Sequence, residues 1–143
     1  MKKTATVLVT ALVAGSVLAG CGGDDPYCVA VKENKAALDT FGQKRTNAGF
    51  AKYADALRAI TTTAPDSSKD DWAKLGAVTD RVLKAQKKTD IALQDMDDPA
   101  KVAKLDSGDL TSLNNAYSAF NGTTKQREAV VKDVKDVCGI TLK

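Results

Sequence analysis

Residues 72–96, WAKLGAVTDRVLKAQKKTDIALQDM, follow a helical pattern that constrains how the rest of the chain can pack. Small or apolar residues recur in alternating steps of three and four, at Leu75, Val78, Val82, Ala85, Thr89, Ala92 and Met96. This spacing is typical of the seam of a helical bundle, and Trp72 stands at its start. Because the seam becomes small and polar after Ala85, we expect the helix to bend or end between residues 88 and 96.

Two amphipathic helices are predicted before this segment. Asp25 and Pro26 match an N-cap followed by proline at the first helical position. The apolar stripe that follows them comprises Cys28, Val31, Leu38 and Phe41. After a turn-like stretch at 42–47, a second stripe comprises Phe50, Tyr53, Ala54, Leu57 and Ile60. The residue before Pro65 marks the expected end of this second helix.

Polar residues predict three further helix starts. Ser67 and Ser68, followed by two aspartates, form a capping-box-like start for the third helix. In the irregular stretch 95–109, the pair Asp98-Pro99 indicates a single helical turn. Asp109 is then expected to cap the next long helix, whose apolar face comprises Leu110, Leu113, Tyr117 and Phe120.

These patterns predict an all-α protein, an antiparallel up-and-down bundle of four main helical layers. The fourth layer is split near Gly122, where Asn121-Gly122 indicates a helix end and Thr123 or Thr124 a restart. Its second part carries Val130, Val134 and Val137 and is expected to end at Gly139. A length of 143 residues suits one domain.

The first 20 residues have the layout of a secretory signal, with Lys2 and Lys3 ahead of an apolar stretch at 5–17. That stretch is shorter than the roughly 20 apolar residues that a spanning helix needs. Leu18-Ala19-Gly20-Cys21 resembles the lipobox of bacterial lipoproteins. The resemblance implies cleavage before Cys21, a diacylglyceryl group on its thiol, and a lipid anchor at the extracytoplasmic face of the cell membrane. The alternative is a secreted protein whose Cys21 follows this sequence by chance.

The lipobox divides the chain into a cleaved signal at 1–20, a lipidated cysteine with a short tether at 21–27, and a helical-bundle domain at 28–143. With Cys21 acylated, Cys28 and Cys138 remain as a pair in an oxidising compartment, where disulfides persist. We therefore expect a bridge that joins the two ends of the domain. The seven steps from Cys21 to Cys28 span at most about 25 Å, so the bridged end should lie near the bilayer.

The domain also resembles small all-helical actinobacterial lipoproteins of unknown function. The matching stretches are Tyr27-Cys28, Lys32 and the closing CGITL at 138–142. The resemblance implies an all-helical body and brings no activity with it.

Charge and composition exclude several classes of function. Loss of Lys2 and Lys3 with the signal leaves 19 basic against 18 acidic residues, a balance that argues against nucleic-acid binding and against a purely electrostatic membrane attachment. The chain contains no histidine, and the patterns of hydrolase triads, metalloproteases and nucleotide-binding loops are absent. We therefore expect no enzymatic activity, no catalytic residues and no cofactor.

The aspartates of 95–109 do not follow the spacing of a calcium loop, and no metal site is expected there. They are interpreted as caps and turn residues. The basic run of Arg81, Lys84, Lys87 and Lys88 could meet an anionic partner, but it is typical of the solvated face of an amphipathic helix.

Two functional hypotheses remain. The first is a docking module that binds an unknown envelope protein or polymer through the loops at 42–49 and 89–109. The second is a carrier or sensor of a small apolar ligand, held between the helices where the seam is small and polar, at Ala85, Thr89 and Ala92.

Overall fold

The computed structural model describes residues 25–41 and 46–143, and their regular structure is entirely helical. Cys21 and the predicted signal at 1–20 lie outside these residues, as does most of the turn predicted at 42–47. Within these residues there are six α-helices: α1 (Pro26–Thr40), α2 (Asn47–Thr63), α3 (Asp66–Thr89), α4 (Pro99–Val102), α5 (Ser107–Asn121) and α6 (Thr124–Cys138). A 3₁₀ turn at Leu93–Asp95 lies between α3 and α4. The predicted all-α class is confirmed.

Helix α3 is the central element of the helical bundle. Its 24 residues span about 36 Å at 1.5 Å per residue, and it packs against α2, α5 and α6. Helix α1 packs against α2 and α6. The predicted seam is buried from Trp72 to Thr89; its most deeply buried members are Trp72, Leu75 and Val82.

An aromatic cluster fills the space where the end of α1 meets α2 and α5. Phe41 stacks on Tyr53, with ring centroids 3.9 Å apart. The rings of Phe50 and Phe120 complete the cluster at 5.3–5.5 Å. Phe41 is the C-cap of α1 rather than part of its helical stripe, so its backbone is extended and its ring turns toward α2.

A covalent and hydrogen-bonded clasp joins the two ends of the domain. Cys28 and Cys138 form a disulfide with their Cα atoms 5.3 Å apart, which confirms the predicted pairing. Beside it, the buried Tyr27 hydroxyl donates to the Asp133 carboxylate at 2.7 Å and accepts from Trp72 Nε1 at 3.1 Å. The clasp of these five residues therefore links α1, α3 and α6. Burial and the hydrogen bond to Asp133 raise the pKa of Tyr27.

Four helix ends fall where local sequence predicts them. The Asp25 carboxylate accepts from the backbone N–H groups of Tyr27 and Cys28. Helix α2 ends at Thr63 with Ala64 as its C-cap, directly before Pro65. Helix α5 ends at Asn121 with Gly122 as its C-cap. Gly139 terminates α6 with φ +67°, a left-handed conformation that glycine adopts without steric cost.

Two predicted caps are wrong. Asp109 does not cap α5; it lies in the first turn, and its backbone N–H donates to the carboxylate of the true cap, Asp106, at 2.8 Å. Ser67 and Ser68 do not cap α3, because the helix begins at Asp66 with Pro65 in the N-cap position. Ser68 is instead 3 % exposed inside the first turn, beside the Tyr27 side of the bundle.

Replacing both bridged cysteines, as Cys28→Ser with Cys138→Ser, should lower the free energy of unfolding by about 2–5 kcal/mol. The bridge spans a sequence separation of 110, so it restricts a large part of the unfolded ensemble. Urea unfolding followed by far-ultraviolet circular dichroism measures the change. An unfolding midpoint equal to that of the oxidised parent would contradict the structural role of the bridge.

Substitution of the two aspartates at the start of α5 should separate their roles. Asp106→Ala removes the side-chain cap and should cost about 1 kcal/mol of stability. Asp109→Ala removes an exposed ion pair with Lys88 and should cost less, because solvent screens such pairs. Thermal unfolding of the two variants side by side makes the comparison, and a larger loss for Asp109→Ala would restore Asp109 as the cap.

The protein should lose stability above pH 10. Burial raises the pKa of Tyr53 to about 12, so between pH 10 and pH 12 the unfolded chain releases a proton that the folded chain keeps. The stabilisation is complete below pH 10 and is lost as the pH rises. Tyr53→Phe should therefore remove about 1 kcal/mol of the loss seen between pH 8 and pH 11 in urea unfolding. If the free energy of unfolding falls equally with pH in the variant and the parent, Tyr53 is not the cause of the loss.

Candidate functional site

A cleft of about 970 Å³, hereafter the distal cleft, opens at the end of α3 that lies away from the clasp. From Trp72 in the clasp to Thr89 in the cleft the helix rises about 25 Å. The cleft lies between the start of α2, the last turn of α3 and the segment that leads to α5. Its lining residues are Asn47, Ala51, Leu83, Gln86, Lys87, Thr89, Asp90, Ile91, Ala92, Asp95, Lys101, Lys104 and Leu105.

The abrupt end of α3 creates one wall of the distal cleft. Asp90 adopts a left-handed backbone conformation with φ 54°, which stops the helix and reverses the chain. Ile91 then returns to the core with 6 % exposure. The predicted bend or end between residues 88 and 96 is confirmed, and its position explains why the seam pattern no longer describes a helix at Ala92.

Asn47 fastens the start of α2 to the segment after α3. Its Oδ1 accepts from the backbone N–H of Leu93 at 2.6 Å, and its own N–H donates to Gln94 Oε1 at 3.1 Å. These two hydrogen bonds join the start of α2 to the segment that follows α3. The cleft is therefore a fixed feature of the fold around Asn47 rather than a gap between independent loops.

Gln86 lies at the floor of the distal cleft with 3 % exposure. Its Nε2 donates to the Tyr117 hydroxyl oxygen at 2.5 Å, whereas its buried Oε1 has no hydrogen-bond partner among the described residues. Burial raises the pKa of Tyr117, and the hydrogen bond from Gln86 opposes that rise. A buried amide atom without a hydrogen-bond partner lowers the stability of the fold by about 1–3 kcal/mol.

Charged side chains surround the rim of the cleft. Lys101 donates to Asp95 at 2.5 Å, and this hydrogen bond raises the pKa of Lys101. The other charged residues that line the cleft are Lys87, Lys104 and Asp90. The cleft therefore combines a small excess of positive charge with an apolar wall that includes Leu83, Ile91 and Leu105.

The three residues predicted to bind a ligand between the helices are not brought to one site. Thr89 and Ala92 line the distal cleft, whereas Ala85 lies in a separate groove between α3 and α5. The Thr89 hydroxyl is occupied, because it donates to the backbone oxygens of Ala85 and Gln86. Ala85 is buried, with α5 packed against its helix.

The basic run is divided between two surfaces. Lys87 faces the distal cleft. Arg81, Lys84 and Lys88 line the groove of about 310 Å³ between α3 and α5. Lys88 is paired there with Asp109 at 2.7 Å, and this hydrogen bond raises the pKa of Lys88.

The acidic stretch 95–109 serves local structure. Asp98 caps α4 through the N–H of Ala100 at 2.9 Å, Asp106 caps α5, and Asp95 pairs with Lys101. Over residues 25–41 and 46–143, no group of acidic residues, cysteines or histidines is arranged to hold a metal ion.

Trp72 and Tyr27 belong to the core and not to a surface. Their exposures are 1 % and 2 %, and their rings meet edge to face at 6.4 Å. They are therefore unavailable to lipid headgroups in this fold.

Comparison with known proteins identifies no relative: no family model, no curated protein and no solved structure matches the chain. Within the described part of the chain, no helix is both long enough and apolar enough to cross a bilayer.

Sequence reasoning missed Gln86, Tyr117 and Asn47 as determinants of the cleft. Gln86 lies seven residues after Thr79, and both side chains are buried on α3 beside its seam. A long amide on an otherwise apolar or small face was the available signal. The role of Asn47 carried no such signal, because it depends on a contact with Leu93, which lies 46 residues away.

Proposed function

We propose that this protein is a lipid-anchored, non-enzymatic docking module at the extracytoplasmic face of the cell membrane. It binds an envelope protein or polymer through the distal cleft. The observation that carries the proposal is the cleft itself, which combines about 970 Å³ of open space with an apolar wall and a rim of three lysines and two aspartates. Concave sites that combine apolar walls with a few polar groups are where proteins most often bind other molecules, which favours recognition at this cleft.

We infer that the helices run up and down in four antiparallel layers, with α5 and α6 as the split fourth layer. Asn47 meets Leu93 and Arg58 pairs with Asp80, so residue numbers rise along α2 as they fall along α3. Asp109 pairs with Lys88, near the end of α3. Tyr27 then joins Asp133 of α6 to Trp72, near the start of α3. These pairings support α5 and α6 running in the same direction along α3.

The predicted lipid at Cys21 orients such a bundle. The tether from Cys21 to Cys28 allows at most about 25 Å, so the clasp stays near the bilayer. The distal cleft lies about 25 Å further along α3, where it faces away from the membrane. This geometry presents the cleft to other components of the envelope.

A non-enzymatic role rests on chemistry rather than on the shape of the cleft. The chain has no histidine, and Cys28 and Cys138 are oxidised. Among the aspartates in and near the cleft, Asp95 pairs with Lys101, and Asp98 and Asp106 cap helices. This leaves the cleft suited to recognition by hydrogen bonds, charge and apolar contact.

A carrier of a small apolar ligand is the second candidate. It is favoured by the position of Thr89 and Ala92 on the cleft beside Leu83 and Ile91. The charged residues on the rim favour the docking module over a purely apolar carrier.

Photo-cross-linking in native membranes tests the docking function, with a photo-reactive amino acid incorporated at one position of the chain. Asp97, exposed beside the cleft, is the test position, and Lys132, exposed on α6, is the control. We expect one discrete cross-linked species from position 97 and none of that mass from position 132. Replacing Cys21 by Ser should release the chain from the membrane and abolish the product.

Equal products from both positions, or none from position 97, would contradict docking through the distal cleft. Retention of the Cys21→Ser chain in the membrane would contradict the lipid anchor. Mass spectrometry of the parent chain supplies the independent control, since the anchor predicts loss of residues 1–20 and an acyl adduct on Cys21.

A further inference from the structure

A second cavity, hereafter the proximal cavity, lies between α1, α3 and α6. Trp72 of the clasp lines it, together with the buried apolar residues Leu38, Leu75 and Val130. Its volume of about 280 Å³ is close to the lower end of the range for small-molecule sites. It shares no lining residue with the distal cleft, so the two are separate sites.

The Tyr53 hydroxyl is a polar group of this cavity that the protein leaves without a partner. The side chain lines the cavity and is 5 % exposed, and its hydroxyl makes no hydrogen bond to a described residue. The described side-chain atoms that lack a partner and are sealed from outside are Ser68 Oγ and Gln86 Oε1. Because the Tyr53 hydroxyl is not one of them, it borders open space that a small molecule can occupy. Burial raises the pKa of Tyr53 to about 12, so near neutral pH the hydroxyl keeps its proton and can donate it.

Arg127 brings to the same cavity a positive charge that has no carboxylate partner among the described residues. It is half-buried, and its guanidinium lies 5.5 Å from the centre of the Phe120 ring. Its three hydrogen bonds go to the Phe120 carbonyl and to the hydroxyls of Thr123 and Thr124, at 3.0–3.3 Å. A guanidinium has five N–H groups, so at least two remain available. The charge also acts on Tyr53, where it opposes the rise in pKa that burial causes.

The C-terminal tail forms one side of the proximal cavity. Leu142 is half-buried and lines it, and the Lys143 backbone N–H donates to Asp39 Oδ1 at 2.8 Å. Asp39 also pairs with Lys35 and lies outside the lining. At the edge of the cavity, Val131 is 40 % exposed. None of the described residues that line the cavity is acidic, so it combines apolar walls with positive charge.

We propose that the proximal cavity binds a small carboxylic acid with an apolar body. The carboxylate accepts from the available N–H groups of Arg127 and from the Tyr53 hydroxyl, and the apolar body packs against Leu75 and Val130. Charge-assisted hydrogen bonds of this kind are stronger than neutral ones, and a half-buried guanidinium without a counter-ion favours an anion. This inference goes beyond the docking function and does not rest on it, because the site lies outside the distal cleft.

Three probes of similar shape separate charge from apolar contact. Phenylacetate represents the proposed ligand class, phenylacetamide keeps its shape without the charge, and phenethylamine reverses the charge. Trp72 is the only tryptophan of the chain and lines the cavity, so its indole N–H signal in NMR titrations reports binding there. With the full chain purified in a nonionic detergent, we expect a dissociation constant of about 1 mM for phenylacetate. Phenylacetamide should bind roughly 10-fold more weakly, and phenethylamine should not bind.

Two variants and two matched controls assign the contacts. Tyr53→Phe removes only the hydroxyl, and Tyr117→Phe makes the same change at a tyrosine outside the cavity lining, which is bonded to Gln86. Arg127→Gln removes the charge, and Arg81→Gln removes an arginine from the groove between α3 and α5. Tyr53→Phe should weaken the binding of phenylacetate about 5-fold and Arg127→Gln about 10-fold. Neither control should change the affinity.

Equal affinities for the three probes would overturn the proposal, as would an unchanged Trp72 signal with phenylacetate at about 20 mM. Unchanged affinity in both Tyr53→Phe and Arg127→Gln would also overturn it. Equal losses in Arg127→Gln and Arg81→Gln would show an effect of net charge and no site at Arg127. The cross-links from position 97 test the docking function separately, so either conclusion can fail while the other stands.

Discussion

The clasp formed by Tyr27, Cys28, Trp72, Asp133 and Cys138 is the constraint on which the rest of the structure depends. The disulfide joins the start of α1 to the end of α6. The Tyr27 hydroxyl then links both to the central helix α3 through its hydrogen bonds with Asp133 and Trp72. A small domain with seven aromatic residues has a limited core, so covalent closure is a substantial part of its stability. The buried Tyr27 hydroxyl is paired on both sides, which is the condition under which such a polar group stabilises a core.

The clasp lies near the start of α3 and the distal cleft lies at its end. At the clasp end, large side chains such as Trp72 and Leu75 are almost fully buried. Toward the cleft the seam becomes small or polar, and α3 stops at Thr89 before its pattern does. The two buried side-chain atoms without a hydrogen-bond partner among the described residues lie one toward each end of α3: Ser68 Oγ in its first turn and Gln86 Oε1 in its last. The large apolar side chains therefore distinguish the clasp end, and the distal cleft distinguishes the other.

Local signals explain what the sequence could predict and what it could not. The caps at Asp25 and Gly139 depend on one or two neighbouring residues, so they were predictable. Asp106 and Asp109 both suit an N-cap three residues apart, and the choice between them depends on which register packs on α3. The predicted ligand-binding set grouped Ala85, Thr89 and Ala92 on one helical seam, but α3 ends at Thr89, so Ala92 lies beyond the helix and Ala85 faces a different groove. The importance of Gln86 arises from Tyr117, a contact across 31 residues that no local pattern specifies.

The central claim is that the clasp end is held at the membrane and that the distal cleft binds a partner. Amide hydrogen exchange tests it most directly, by comparing the chain in its native membranes with the purified chain in detergent. The account predicts that residues 86–105 gain protection in membranes, while the backbone around Cys28 and Cys138 is equally protected in both samples. Protection gained only around Cys28 and Cys138, or no gain at residues 86–105, would contradict it.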